Sequence, residues 1–393
     1  MPPEVTRMSV STGLDVLAAE GFKRLRGRRV GLITNPTGVD RLLRANVDLM
    51  VAAGGVGLVA LFGPEHGIRG EAPAGQRVGS STDPVTRLPV YSLYGEHDKP
   101  APETLGGLDA LVFDIQGAGV RFYTYASTML KAMEAAAQTG VRFVVLDRPN
   151  PINGQAVEGG PVEPGFESLV GWRSVPIRHG LTLGELAWYV NEVFGVGADL
   201  DVVAMTGWRR GMWYDQTGLS FVPPSPNTTG LDMLALYPGT CFLEGTNVSE
   251  GRGTTKPFEV FGAPWADGRR LAAHLNGRGL DGVRFRPVHF RPLTSKHEGH
   301  ECGGVQAHVT DRSALRPVRL GLEIVAALRA LHPDRFVWVG GREGRSYFDL
   351  LTGTAQVRSA IEAGQAPADI ERSWAGWLAD YLARRQPYLL YKE

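Results

Sequence analysis

Four short, uninterrupted apolar runs in the first 150 residues each close in a polar cluster, and this pattern constrains the fold more than any other feature. Residues 30–33 run into Thr34, Asn35 and Pro36, and residues 57–62 into Gly63-Pro64-Glu65-His66-Gly67. Residues 110–113 end in Asp114-Ile115-Gln116-Gly117, and residues 143–146 in Asp147-Arg148-Pro149-Asn150. Continuous rather than alternating hydrophobicity belongs to strands covered on both faces. Helical patterns separate the runs, at 14–25, 41–53 and 125–139. A further helix at 182–194 opens with Thr182 and Glu185 spaced as a capping box, and a short strand follows at 200–205. Such alternation predicts right-handed βαβ units and a Rossmann-like, doubly wound, mostly parallel α/β sheet.

A chain of 393 residues exceeds one ordinary core, so two domains are expected. From 207 to 257 the chain turns rich in Gly, Pro, Trp, Asn and Thr, which puts a junction near 235. Beyond it come strands at 283–290 and 304–310 and helices at 315–331, 346–352, 355–363 and 370–385. The expected division is a Rossmann-like domain over 1–235 and a smaller α+β domain over 236–393. The 41 basic and 41 acidic side chains cancel and no basic run occurs, which argues against a nucleic-acid partner. Cys241 and Cys302 form no CxxC pair and read as small buried residues. The first seven residues lack the apolar core of a signal peptide, and no run is long enough to span a bilayer. The expectation is a cytoplasmic protein as written, or a secreted or periplasmic one if an export signal has been trimmed. Oligomeric state is not legible.

In an open parallel sheet, ligands bind just beyond the carboxyl ends of the strands. That edge would gather Asn35, Glu65, His66, Asp114, Gln116, Asp147, Arg148 and Asn150. In Gly63-Pro64-Glu65-His66-Gly67 a carboxylate and an imidazole share a glycine-bounded turn stiffened by proline. Residues 243–255 crowd Glu244, Asn247, Glu250 and Arg252 into a loop too polar for a core. Arg121-Phe122-Tyr123-Thr124-Tyr125 offers aromatic faces with hydroxyls, which suit sugar rings. Two other motifs carry less. The run Gly117-Ala118-Gly119 lacks the third glycine of a dinucleotide fingerprint, and Gly251–Lys256 lacks the glycine that precedes a Walker lysine. His297-Glu298-Gly299-His300-Glu301-Cys302 does not match HExxH and reads as a surface loop. No cofactor and no metal are expected.

Taken in order, these motifs, with Asp147-Arg148-Pro149-Asn150-Pro151, Pro224-Ser225-Pro226-Asn227, Tyr237-Pro238-Gly239 and residues 244–254, resemble the NamZ-type exo-β-N-acetylmuramidase family over roughly 10–390. The resemblance implies an active cleft between two lobes. It also implies release of N-acetylmuramic acid from the non-reducing end of peptidoglycan fragments. Glycoside hydrolysis usually needs two carboxyl groups. Glu65 is the candidate general acid, Glu244 or Glu250 its partner, and Asp114 a possible orienting acid. Arg252, Arg148 and Arg121 are candidates for the lactyl carboxylate. Asn35, Asn150, Asn227 and Asn247 would serve hydroxyls and the acetamido group, with His66, Gln116, Tyr123 and Tyr125 completing the binding set. The alternative from another class is a non-catalytic binding protein for muramyl sugars; a nucleotide-dependent Rossmann enzyme is the third reading.

Overall fold

Seven strands form the larger sheet: β1 (Arg29–Thr34), β2 (Gly57–Gly63), β3 (Ser81–Thr82), β4 (Pro89–Ser92), β5 (Ala110–Asp114), β6 (Arg142–Leu146) and β7 (Leu200–Val203). The computed structural model describes residues 9–70, 79–95, 97–341 and 345–393; the N-terminal segment examined for an export signal lies outside the described residues. The strand order is β3-β4-β2-β1-β5-β6-β7, with every pairing parallel except β3 against β4. From β1 the chain first winds outward through β2 and β4, then crosses to the other side of β1 and continues through β5, β6 and β7. The direction therefore switches between β1 and β5, the arrangement of a Rossmann-type sheet. Strands β1 and β5 are buried along nearly their whole length, as continuous apolar runs require.

Caps set the helix boundaries. Thr12 and Asp15 make a reciprocal capping box for the helix Gly13–Ala19, and Thr182 and Glu185 do so for Leu183–Val193. The helix expected over 41–53 begins only at Asn46. Asp40 explains the delay: its carboxylate accepts the amides of Leu42 and Arg44, each at 2.9 Å, and Leu43 sits at φ 62°, so this stretch is a turn. The helix expected over 370–385 is two, Pro367–Ser373 and Ala375–Arg385.

The smaller sheet is antiparallel, with order β8-β10-β9 for β8 (Val260–Ala263), β9 (Val283–Phe290) and β10 (Cys302–Val309). The helix Leu231–Thr240 carries the chain across residue 235 and was not anticipated, because Pro238 and Gly239 read as breakers. Gly239 is there for contact. A Cβ on it would lie 1.9 Å from the carbonyl of Pro317, so two helices meet backbone to backbone at Gly239 and Gly321.

The largest apolar cluster among the described residues runs through both lobes, from Phe113 and Met129 to Phe242, Phe348 and Tyr381. Edge-to-face rings stitch them together: Phe122 to Tyr237 at 5.4 Å, Tyr123 to Tyr237 at 5.9 Å, and Phe122 to Phe242 at 6.5 Å. The chain also returns at its end to the first lobe. Tyr381 donates to the His179 carbonyl at 2.9 Å, Tyr391 donates to Asp147 at 2.6 Å, and the Leu390 amide donates to Glu185 at 2.9 Å. With core and tail shared in this way, the lobes are fixed relative to one another.

Candidate active site

The switch point between β1 and β5 is filled by its own side chains. Arg148 is paired with Asp114 at 2.6 Å, and Asp114 also accepts from Asn46 at 2.8 Å; Asp114 is fully buried and Arg148 nearly so. The two charges compensate each other where water cannot. Asn35 turns back to accept the Thr37 amide at 2.9 Å. Gln116 donates to the carbonyls of Gly117 and Pro149, and Asn150 donates to that of Leu181. Thr12, Thr37, Gln116, Arg148 and Tyr214 line what space remains there.

The open cavity lies one strand over, at the tip of β2, where the two lobes meet. Its volume is about 100 Å³, continuous with a mouth open to solvent. One wall is the Gly63–Gly67 turn. His66 (φ 74°) and Gly67 (φ 77°) are both left-handed, a conformation that a non-glycine residue adopts only when its surroundings hold it. This reverses the chain so that Glu65 and His66 both face the cavity. Glu65 accepts the Thr124 hydroxyl at 2.9 Å, at the start of the helix Thr124–Thr139. Tyr123 and Tyr125 stand edge to face at 5.1 Å. Tyr123 shares a hydrogen bond with Thr228 at 3.1 Å, and Tyr125 donates to the Pro224 carbonyl at 2.6 Å, which fixes the Ser225–Thr228 stretch as a second wall.

The far wall belongs to the second lobe: Tyr237, Cys241, Glu244, Arg252, Phe258 and Tyr347. Arg252 is the hub of its electrostatics. It reaches Glu244 at 2.6 Å and Glu250 at 3.1 Å, and its guanidinium lies 5.1 Å from the Phe258 ring. Burial alone would weaken its hold on the proton, but the two carboxylates outweigh that and keep it charged. Burial raises the Glu244 carboxyl above the usual carboxylate range; Arg252 opposes the shift, Glu250 adds to it, and the direction is upward. Burial likewise pushes the Tyr123, Tyr125, Tyr237 and Tyr347 phenols up, so these hydroxyls stay neutral donors.

Of the residues singled out from sequence, Glu65, His66, Tyr123, Tyr125, Asn227, Glu244 and Arg252 line this cavity together. Eight others do not. Asp114, Arg148, Asn35, Gln116 and Asn150 are spent at the filled switch point, where each satisfies a buried neighbour. Arg121 is buried and donates to the carbonyls of Gly160 at 2.6 Å, Val175 at 2.8 Å and Leu351 at 3.1 Å; with no acid beside it, burial lowers its pKa to about 9. It ties the first lobe to the second and does not line the cavity. Asn247 is occupied by Arg335 and Val337, and Glu250 stands behind Arg252. Sequence reasoning missed Tyr94, Thr124, Ser225, Thr228, Cys241 and Tyr347 as cavity residues and left Tyr237 without a role. Thr124, Ser225 and Tyr237 lie inside motifs already quoted; nothing local marks Tyr347. Among the described residues no group of three potential metal ligands converges, at the run 297–302 or elsewhere.

The family description "Exo-beta-N-acetylmuramidase NamZ, N-terminal" matches residues 30–232, and its C-terminal counterpart matches 235–391. Peptidoglycan beta-N-acetylmuramidase NamZ of Bacillus subtilis (strain 168) is 47% identical over 382 residues, covering 97% of this chain and 91% of that protein. A crystal structure of a DUF1343 family protein from Bacteroides fragilis NCTC 9343 superposes with a TM-score of 0.91 at 42% identity, covering 98% of this chain and 100% of that one. A second DUF1343 protein from the same organism gives 0.78 at 30% identity, covering 98% and 99%.

Proposed function

The chain belongs to the exo-beta-N-acetylmuramidase NamZ family, and from that premise we propose that its junction cavity removes N-acetylmuramic acid from the non-reducing end of peptidoglycan fragments, with Glu65 and Glu244 as the paired carboxyl groups. One observation carries the reading. Two acids far apart in sequence, one from each lobe, line a single polar cavity together with Arg252 and a set of tyrosines.

Geometry and burial divide the labour. Glu244, whose burial favours the protonated form, is the group that gives a proton to the departing glycosidic oxygen. This reverses the order expected from sequence, where Glu65 held that role. Glu65, held by the Thr124 hydroxyl on the opposite wall, assists attack at the anomeric carbon. With Glu244 carrying its proton, Glu250 is negative and Arg252 and Lys296 are positive, so the cluster is net cationic. That charge suits a sugar bearing a lactyl carboxylate. Arg252 is the one of the three candidate arginines on the cavity wall, and its planar fork matches a carboxylate. Tyrosine faces stack on the apolar side of the ring.

The test uses two substrates. On the natural N-acetylmuramyl disaccharide, Glu65→Gln and Glu244→Gln each abolish sugar release. On 4-nitrophenyl N-acetyl-β-muramide, whose leaving group needs no proton, Glu244→Gln keeps most of its activity and Glu65→Gln does not. Full activity of either variant on the disaccharide would remove that residue from the pair.

A further inference from the structure

The connection between β9 and β10 passes directly behind the acidic loop. It is tied to that loop at two points. The Leu293 amide donates to the Gly253 carbonyl at 3.0 Å, and the His297 ring is 2.7 Å from the Asn247 carbonyl. Contact there is close: a Cβ on Gly253 would lie 2.5 Å from the Thr294 amide nitrogen. Ser295 (φ 72°) and His297 (φ 59°) are both left-handed non-glycine residues, so the backbone reverses on either side of Lys296 and drives its side chain inward.

There the ammonium is surrounded by acceptors. Lys296 Nζ lies 2.8 Å from the Leu243 carbonyl, 3.1 Å from that of Val248, 3.3 Å from that of Glu244 and 3.0 Å from Glu250 Oε2. An ammonium has three donors and no acceptor, so this site spends it entirely on one loop. Its carboxylate partner Glu250 touches Arg252, and Arg252 touches Glu244. Charges alternate from Lys296 through Glu250 to Arg252, which reaches the Glu244 carboxyl, and each inner group is held from both sides.

We propose that the β9–β10 connection is the backing of the catalytic loop and that Lys296 is a positioning residue, fixing the Glu244 carboxyl through the row Lys296–Glu250–Arg252–Glu244. This rests on the reading of Glu244 as proton donor. Lys296 does not line the cavity and meets no substrate. It holds the loop carbonyls on either side of Glu244 and sets how firmly Glu250 competes for Arg252. The segment that resembled a metal run in sequence thus acts from behind the site, through a cation of its own.

The row makes opposed predictions. Groups that act on Glu244 are Arg252, Glu250 and Lys296 by charge, with Tyr237, Cys241 and Tyr347 beside it as neutral donors. Removing the lysine charge takes away a stabiliser of the Glu244 anion, and freed Glu250 draws Arg252 toward itself. The Glu244 titration therefore moves to higher pH. Removing the Glu250 charge deletes a repulsion and leaves Arg252 to Glu244 alone, so the titration moves to lower pH.

The experiment compares wild type, Lys296→Met, Lys296→Arg and Glu250→Gln. It measures the pH profile of kcat/KM for disaccharide cleavage and, separately, the carboxyl titration of Glu244 by carbon NMR of glutamate-labelled protein, assigned with Glu244→Gln. Lys296→Met is expected to lower kcat about 100-fold with little change in KM, as a displaced catalytic group does. Its basic limb moves up in pH, the basic limb of Glu250→Gln moves down, and Lys296→Arg restores most of the rate. Equal limbs in all four proteins, or shifts of Lys296→Met and Glu250→Gln in one direction, would overturn the proposal. Should Lys296→Met fail to fold, the downward shift in Glu250→Gln and the rescue in Lys296→Arg still decide it. If wild type cleaves no muramyl sugar, the functional reading fails by itself, while the NMR titrations still test the row.

Discussion

The crevice between β1 and β5 and the cavity at the tip of β2 are built from the same kinds of side chain, yet one is closed and the other open. At the first, Asp114, Arg148 and Asn46 satisfy one another while Asn35 and Gln116 bond to nearby backbone, and the place where a Rossmann sheet usually receives its ligand is largely polar core. At the second, polar groups that line the cavity are held from the side or from behind. Glu65 leans on Thr124, Tyr123 on Thr228, and Glu244 on Arg252. The difference lies in the second lobe. It closes over β2 and supplies a wall to that cavity, which is why the proposed site lies at the junction rather than at the switch point.

Substitutions should separate the two regions cleanly. The largest effect is expected at the cavity: Glu65→Gln or Glu244→Gln lowers disaccharide cleavage by at least about a thousandfold, beyond the 10²–10⁴ range of a lost general acid or base only if both roles merge. Their unfolding free energies should stay within about 1 kcal/mol of wild type, measured by denaturant titration. At the closed crevice the order inverts. Asp114→Ala leaves Arg148 buried without a partner and costs about 3–5 kcal/mol of stability, while the folded fraction keeps its turnover, read from active-site-normalised rates. Loss of turnover with stability intact would return the crevice to the active site.

These predictions also mark what the sequence made legible. Continuous apolar runs foretold the parallel sheet, since strands covered on both faces leave no alternation to misread. The polar tips were correctly seen as gathered on one edge, but which of them face a cavity depends on side-chain partners that local sequence does not reveal. Asp114 and Glu65 look alike as strand-tip acids. Only the fold shows that Arg148 and Asn46 enclose the first, while a left-handed His66 turns the second outward. Tyr347 had no motif around it, and Lys296 stood beside the 297–302 run that read as a surface loop, because both come from elements distant in the chain. Leu231–Thr240 was hidden by Pro238 and Gly239, residues that serve helix contact here.

A third contrast involves pH. Behind the crevice, burial raises the Asp147 pKa to about 6, against hydrogen bonds from Tyr391, Thr182 and the Gly184 amide. Burial lowers the His179 pKa to about 3, with Arg385 adding to it. For Asp147 the folded state holds the proton more tightly than the unfolded chain, so its contribution to stability falls as pH rises from about 4 to 6. For His179 the unfolded chain binds the proton more tightly, so stability falls as pH drops from about 6.5 toward 3. The two slopes oppose across pH 4–6. Asp147→Asn should therefore steepen acid destabilisation by about 1 kcal/mol per pH unit in that window, checked by denaturant titrations at pH 4.5 and 6; an unchanged slope would contradict the assignment.

The smallest effect concerns Tyr347, which lines the cavity and whose hydroxyl has no hydrogen-bond partner among the described residues. Tyr347→Phe should cost about tenfold in kcat/KM, the value of one hydrogen bond to substrate, with no loss of stability. An unchanged kcat/KM would show that this hydroxyl does not meet the sugar.

A crystal structure with N-acetylmuramic acid bound would test the displaced site most directly. The sugar ring should lie between Glu65 and Glu244, with its lactyl carboxylate toward Arg252 and the Asp114–Arg148 pair undisturbed. A sugar seated instead between β1 and β5, with Arg148 drawn from Asp114 to its carboxylate, would contradict the account.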